Sequence, residues 1–528
     1  MPSRPAIDEL NRRLGWALPA IATLVLGIFR LPELTRSPLW YDELFSLGVA
    51  ELPLGDSLRR IIADHTNPPL FYLLLKGWIV VGGESDHWVR LLPCLLAMLL
   101  GAALVWLVRE VRAGTRAGML AVALAAASPL SVDLANEVRA YSLLALLACL
   151  SLAATLHDRA RRTRETFALM TIINIALVHT HYFGWLTIGA ECVAALYAWR
   201  GTHAWRVLRS AGLTLLAFVP WAAAVAAHAL SNPAPLRNVA WIGSPAVADP
   251  LWLLRDLTGR SGYAAADLAW LALVIVAFVV LGATQWRRRG EAGRADAALS
   301  PGRVASGRAD AHGAARADAR ADAHGDFRAD GHADGHAGNP SNSPVEGALL
   351  LLAVAGLAAP VLVWAASLLS GHSFWVQRYL VGAAAPVALL TAIAVAALPP
   401  RRWGAAAIVG FVWTAVACAA LPQRAPTKFD WRRFVRRVDL TVGSPRDVYA
   451  LEAFTGAPLQ RYAHAGMQLH MVKSLQELPV GDLWLVYRRD SFASGSPAEA
   501  LRALGFATVS SLSAETAGQK IVAVRIRR

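Results

Sequence analysis

Two adjacent carboxylates, Asp42 and Glu43, lie in the segment Ser37-Pro38-Leu39-Trp40-Tyr41-Asp42-Glu43, just after a membrane-length apolar run from Leu14 to Leu31. A carboxylate at the lipid–water boundary can take a proton from a hydroxyl acceptor while a lipid-linked donor reaches it from the bilayer. The same pair in an ordinary loop would be a solvated surface, so the neighbouring residues carry the decision.

Further polar residues gather in other loops between apolar runs. Asp64, His65, Asn67 and Pro68-Pro69 share the first loop with the carboxylate pair. A second loop holds Asp133, Asn136, Glu137, Arg139 and Tyr141, and a third His179, His181 and Tyr182. Another, 370–378, holds His372, Trp375, Gln377 and Arg378, followed by Tyr379. Carboxylates, histidines and arginines converging at one membrane face describe a site for a phosphorylated substrate whose tail lies in lipid. The competing reading makes Arg139 and Arg378 interfacial anchors and the histidines polar helix ends. Glu191, inside an apolar run, is costly there unless paired, and is a secondary candidate.

The elements that must position these residues follow from composition. The chain has 528 residues, 56% of them hydrophobic and 17% charged, with mean hydropathy +0.42. That balance is too apolar for a soluble globule and fits an all-α polytopic membrane protein. The net charge is +14, but the basic residues punctuate apolar runs and form no stripe, which argues against a nucleic-acid partner. Eleven apolar runs read as spans, at about 14–31, 88–108, 117–132, 141–156, 166–181, 183–199, 210–229, 264–284, 346–369, 379–398 and 403–421. A shorter run, 70–81, interrupted by Lys76, reads as a helix lying in the interface.

Charge bias supports that choice. With the N-terminus in the cytoplasm and 70–81 left unspanned, the Arg-rich loops 109–116, 157–165, 200–209, 285–345 and 399–402 all fall inside. The carboxylate pair and residues 422–528 then fall outside. The first span shows no small-residue cleavage site directly after it and reads as an uncleaved anchor. All four cysteines (Cys94, Cys149, Cys192, Cys418) lie in expected spans, so no disulfide framework is expected.

Two domains are expected. Residues 1–421 form a transmembrane domain interrupted at 290–345 by a low-complexity stretch, read as a disordered cytoplasmic linker. Residues 422–528 form a small α/β domain, with an amphipathic helix from Asp430, a buried strand over 482–487, a helix ending at Gly505 and a strand over 520–526.

Read in order, the loop motifs resemble those of C-type (GT-C) glycosyltransferases. The first-loop signature is Trp40-Tyr41-Asp42-Glu43 followed by His65-Thr66-Asn67-Pro68-Pro69-Leu70-Phe71-Tyr72. Arg90-Leu91-Leu92-Pro93 resembles the family's entry to the second span, and Asn136-Glu137-Val138-Arg139-Ala140-Tyr141 its second-loop pattern. His179-Thr180-His181-Tyr182-Phe183 and Gln377-Arg378-Tyr379-Leu380 resemble later loops. The similarity covers roughly residues 14–400 and is closest to the bacterial branch related to protein O-mannosyltransferases and aminoarabinose transferases. The chain departs from the family pattern where His-Pro-Pro reads His65-Thr66-Asn67-Pro68-Pro69 and where Gln-Glu reads Asn136-Glu137.

The resemblance implies transfer of a sugar from a polyprenyl-phosphate donor to a hydroxyl of lipid A or its core, an envelope glycan, a glycolipid or a protein. It places the chain in a bacterial inner membrane, with site and C-terminal domain facing the periplasm. Asp42 is then the expected base, tuned by Glu43 or Glu137 through like charge. Arg139 and Arg378 are expected phosphate ligands, with Glu137 orienting Arg139. His65, Tyr141, His181 and Tyr379 are expected to complete substrate binding. No cofactor is expected. A divalent metal on Asp42, Glu137 and a histidine would be chemically compatible, but a monophosphate donor with arginine partners does not require one. A transporter or flippase of lipid-linked sugars is the alternative, although such proteins usually carry internal repeats and broken helices at mid-membrane.

Overall fold

Apolar segments satisfy their backbone polar groups in lipid by closing hydrogen bonds within a helix, and the computed structural model of the protein is built that way. It describes residues 4–199, 201–231, 242–299, 344–398, 412–413, 415–420, 428–442, 446–463, 467–489, 497–516 and 519–528. In chain order the first helices are α1 (Arg4–Arg30), α2 (Tyr41–Glu51), α3 (Leu54–Asp64), α4 (Leu70–Gly82), α5 (Asp86–Val111), α6 (Gly114–Ala127), α7 (Pro129–Ala135) and α8 (Tyr141–Arg161). There follow α9 (Arg164–Thr180), α10 (Gly184–Tyr197), α11 (Thr202–Ser231), α12 (Asp249–Thr258), α13 (Ala264–Leu299), α14 (Pro344–Ala353), α15 (Ala359–Leu369) and α16 (Ala384–Ala396).

Among the described residues, seven helical segments are long and apolar enough to cross a membrane: 17–34, α5, α8, α11, 264–287, 345–369 and 377–396. An eighth is reached if α6 and α7, bent by 60°, count as one. The expected span 117–132 breaks there because Pro129 disfavours helical backbone at Ser128, while the Ser128 hydroxyl accepts from the Ser131 N–H and starts a new helix. The runs 166–181 and 183–199 fold as α9 and α10, of 17 and 14 residues, below the length of a comfortable crossing. The run 403–421 lies mostly outside the described residues. Helix α4, 13 residues long, spans about 20 Å and is short of a crossing, as its length in the sequence suggests.

Helix α13 continues to Leu299, past the expected linker start at 290. Ala292, Ala295, Ala297 and Ala298 favour helix enough to extend it. The rest of that segment, 300–343, lies outside the described residues.

Helix α8 is the central post of the bundle, packed against α5 and α9 and buried nearly all round. Helices α1 and α5 approach closely at Gly101, where an added Cβ would stand 2.6 Å from the Ala22 carbonyl.

The C-terminal residues form a five-stranded sheet in the order β2-β1-β3-β5-β4, from β1 (Arg446–Leu451), β2 (Met467–Val472), β3 (Asp482–Arg488), β4 (Ala507–Thr516) and β5 (Gln519–Arg527). β1 pairs parallel with β2 and β3, and β5 pairs antiparallel with β3 and β4. Alternation along β3 buries Trp484 and Val486 under the helices Trp431–Val442 and Ala453–Tyr462. Leu483 and Leu485 face the opposite way, with Leu501 and Phe506. The strands expected over 482–487 and 520–526 lie within β3 and β5.

Candidate active site

Helix α2 begins at Tyr41, and its third residue, Glu43, reaches back to accept the Trp40 N–H at 3.2 Å. This local cap fixes the orientation of the Asp42-Glu43 pair and sends the two carboxylates to different fates. Glu43 is fully buried. Its Oε1 accepts from Arg90 Nε at 3.0 Å and from the Val138 N–H at 3.1 Å. Its Oε2 accepts from the other side of the Arg90 fork at 2.7 Å, with Lys428 Nζ at 3.3 Å. Burial pushes the Glu43 carboxyl upward, but Arg90 and Lys428 beside it hold it below its ordinary value.

Arg90 in turn donates to the Pro38 carbonyl at 2.8 Å and to the Ser37 carbonyl. A buried charge pair with its remaining hydrogen-bonding capacity satisfied is a rigid fixture. It ties the first loop to the second, through Val138, and to the start of α5.

Asp42 remains partly exposed. Its carboxylate lies 3.6 Å from the Arg378 guanidinium, with both side chains about one-quarter exposed. Arg378 is the second residue of the 3-10 turn Gln377–Ala383, with its guanidinium 5.6 Å from the Trp40 ring centre and 5.9 Å from that of Tyr141.

Arg139 is buried close by. Its guanidinium makes long contacts to the Asp42 carbonyl (3.5 Å), Ser46 Oγ (3.4 Å) and Tyr72 Oη (3.4 Å). Burial would favour its neutral form. The oxygens of Tyr72, Tyr141, Asp42 and Asp64 nevertheless hold its pKa well above the ordinary value, so it stays a cation. It takes part in no carboxylate ion pair among the described residues. The expected orienting role of Glu137 is therefore not what the structure shows: Glu137 lies 3.4 Å from Lys428 instead. Lys428 reaches both Glu137 and Glu43, so its ammonium bridges two buried carboxylates, one of them already paired with Arg90.

The aromatic side of the site is built by α8, the end of α9 and the 3-10 turn. Tyr379 lies 6.1 Å from Tyr141 in a stacked arrangement and 5.0 Å from His181. His181 Nδ1 accepts the Phe183 N–H at 3.1 Å. Tyr141 Oη, His181 Nε2 and Glu137 Oε2 are buried without a hydrogen-bond partner among the described residues, a condition that bound water or ligand relieves. His65 stands apart from this wall. It ends α3 at φ 57°, and its ring lies 5.2 Å from that of His228. Among the described residues no three histidines, cysteines or acids are grouped as a metal cage.

Asp42, Arg139, Tyr141, His181, Arg378 and Tyr379 thus come together, while Glu43 and Glu137 lie behind them on Lys428. Sequence reasoning missed Lys428 and gave Arg90 no role beyond its motif. Arg90 had a legible signal, its place beside Pro93 at the start of a span. Lys428 had none, because a lone lysine after the last apolar run carries no pattern. Tyr462, 2.6 Å from the Leu39 N–H and 2.8 Å from Asp86, was likewise invisible.

No family model and no curated protein matches this sequence. Among solved structures, ArnT from Cupriavidus metallidurans in the apo state is similar at 14% identity and TM-score 0.51, over 97% of this chain and 98% of that one. The same protein bound to undecaprenyl phosphate is similar at the same identity and TM-score, over 96% and 98%. An oligosaccharyltransferase of Archaeoglobus fulgidus tethered with an acceptor peptide is less similar, at 13% identity and TM-score 0.46, over 89% of this chain and 65% of that one. Over 97% of its length, the chain has the fold of ArnT.

Proposed function

We propose that this protein transfers a sugar from a polyprenyl-phosphate donor to a hydroxyl of an envelope glycan, lipid or protein, at the periplasmic face of a bacterial inner membrane. The observation that carries the reading is the juxtaposition of a partly exposed carboxylate, Asp42, with the Arg378 guanidinium at 3.6 Å, beside the buried Arg139, which has no carboxylate ion pair among the described residues. The fold shared with ArnT, a protein seen bound to undecaprenyl phosphate, supports a polyprenyl-phosphate donor.

In this mechanism the acceptor oxygen bonds to the anomeric carbon as the bond from that carbon to the phosphate oxygen breaks. Asp42 takes the acceptor proton, and polyprenyl phosphate leaves with the electron pair. One displacement inverts the anomeric centre. Arg378 and Arg139 stabilise the charge gathering on the phosphate. Arg378 meets the donor phosphate from beside Asp42, 3.6 Å away. Tyr141, His181 and Tyr379 wall the sugar, His65 borders the entry, and Glu43 and Glu137 act through position.

The test is transfer of labelled sugar from a panel of polyprenyl-phosphate sugars to envelope extract, with wild type beside Asp42→Asn. Label moved by wild type and lost in a folded variant is the expected result. Equal transfer by both would remove Asp42 from the chemistry. No transfer from any carrier by a folded protein would bring the transporter reading forward.

A further inference from the structure

At the other end of the helices that hold the site lies a second concavity. Arg90 and Arg109 are 19 residues apart on α5, about 28 Å at helical rise, which is close to the thickness of a bilayer hydrocarbon core. Around Arg109 the helices α1, α5 and α6 part to leave a groove of about 630 Å³. Its floor is apolar, with Ala22, Val25, Val105 and Val122, and small residues at Gly15 and Gly118 leave the space open. Leu18, Ile21 and Met119, all exposed, form its outer lip. That edge would face lipid.

The mouth of the groove is basic. Arg109 and Arg112 line it and are exposed, and among the described residues neither enters an ion pair. Arg109 donates across the mouth to the Gly15 carbonyl, which fixes its guanidinium over the opening. Helix α6 starts there, at Gly114 and Thr115, with no side-chain cap and no acidic residue in its first turn. An uncapped helix N-terminus and two arginines at one opening favour an anion. An apolar trough leading away from that opening favours a hydrocarbon chain.

We propose that this groove binds one anionic phospholipid of the leaflet opposite the candidate active site. The phosphate diester sits between Arg109, Arg112 and the first turn of α6, and one acyl chain lies along α1 and α6. Basic pockets between membrane helices recognise anionic headgroups in this way. The site is separate from the transfer reaction and does not depend on that reading.

The test is native mass spectrometry of the full chain in neutral detergent, with phosphatidylglycerol, phosphatidylcholine and undecaprenyl phosphate offered in competition. Wild type should retain phosphatidylglycerol over phosphatidylcholine by about tenfold. Arg109→Gln with Arg112→Gln should remove that preference, and Arg109→Lys with Arg112→Lys should keep most of it. Val122→Trp, which fills the trough and leaves the arginines, should lower retention of both phospholipids. Equal retention of the two by wild type, or an intact preference in the glutamine variant, would overturn the proposal. So would displacement of phosphatidylglycerol by undecaprenyl phosphate at equal concentration. Should the double glutamine variant not fold, Arg112→Gln alone is read, and an unchanged preference there counts against the site.

Discussion

Glu43 and Arg90 form a two-point ion pair, at 2.7 and 3.0 Å, in which both side chains are buried. Of the two neighbouring carboxylates that open α2, the pair consumes one and leaves the other facing the site. Asp42 and Glu43 are therefore not interchangeable, and the burial of Glu43 on Arg90 is what separates them.

Removing one partner of a buried pair leaves the other charged and unpaired. Glu43→Ala is expected to destabilise the protein by about 3–5 kcal/mol, measured by unfolding in detergent. A double variant, Glu43→Gln with Arg90→Met, should lose less than the sum of the single changes. A Glu43→Ala protein as stable as wild type would sink the clamp.

Asp42→Asn should behave in the opposite way. Its carboxylate is partly exposed and its ion pair loose, so the unfolding midpoint should hardly move. Transfer should fall by about 10²–10⁴-fold, the usual contribution of a positioned base. A rate within threefold of wild type, checked by label transfer, would count against its assignment.

Lys428 holds two carboxylates from the far side of the chain. Lys428→Met should cost roughly 1–3 kcal/mol, the penalty for leaving a buried polar group unsatisfied. Adding Glu137→Gln should recover part of that loss, because the second carboxylate no longer needs a counter-charge. The readout is thermal unfolding of the two variants side by side.

The pH dependence follows from Glu43. Its folded pKa lies below the ordinary value of 4.5, so its contribution is complete above the unfolded pKa and is lost as pH falls through the folded one. Stability should therefore drop on acidification below about pH 4.5. In Glu43→Gln that part of the drop should be missing, which an acid titration of the unfolding midpoint detects.

Arg139→Lys replaces a planar fork by a point charge. Losing one charge-assisted hydrogen bond to a donor phosphate, about 1.5 kcal/mol or more, should raise the donor KM by roughly tenfold or more. Because guanidinium groups supply the positive charge in this mechanism, EDTA is expected to leave the rate unchanged. Loss of transfer in EDTA, restored by a divalent cation, would require a metal in the scheme.

Much of the architecture is legible in the sequence. Apolar runs bounded by arginines marked most of the helices, because hydropathy and charge act locally along a chain. Alternation marked the strands at 482 and 520, and the loop motifs marked Asp42, Arg139, Tyr141, His181, Arg378 and Tyr379 as a group. The span count was less legible, since a single proline after Ser128 breaks a run that composition reads as continuous, and α10, at 14 residues, is shorter than its apolar stretch.

What only the tertiary structure decided is how the charges are distributed. Glu43 meets Arg90 across 47 residues and Lys428 across 385. Glu137 meets Lys428 and, among the described residues, Arg139 enters no carboxylate ion pair. The sequence by itself determined which residue types stand at the helix ends, because burial and period are properties of neighbouring residues. Which acid is buried in an ion pair and which stays partly exposed depends on cations brought in from distant segments. That is set by packing, for which a linear pattern has no signal.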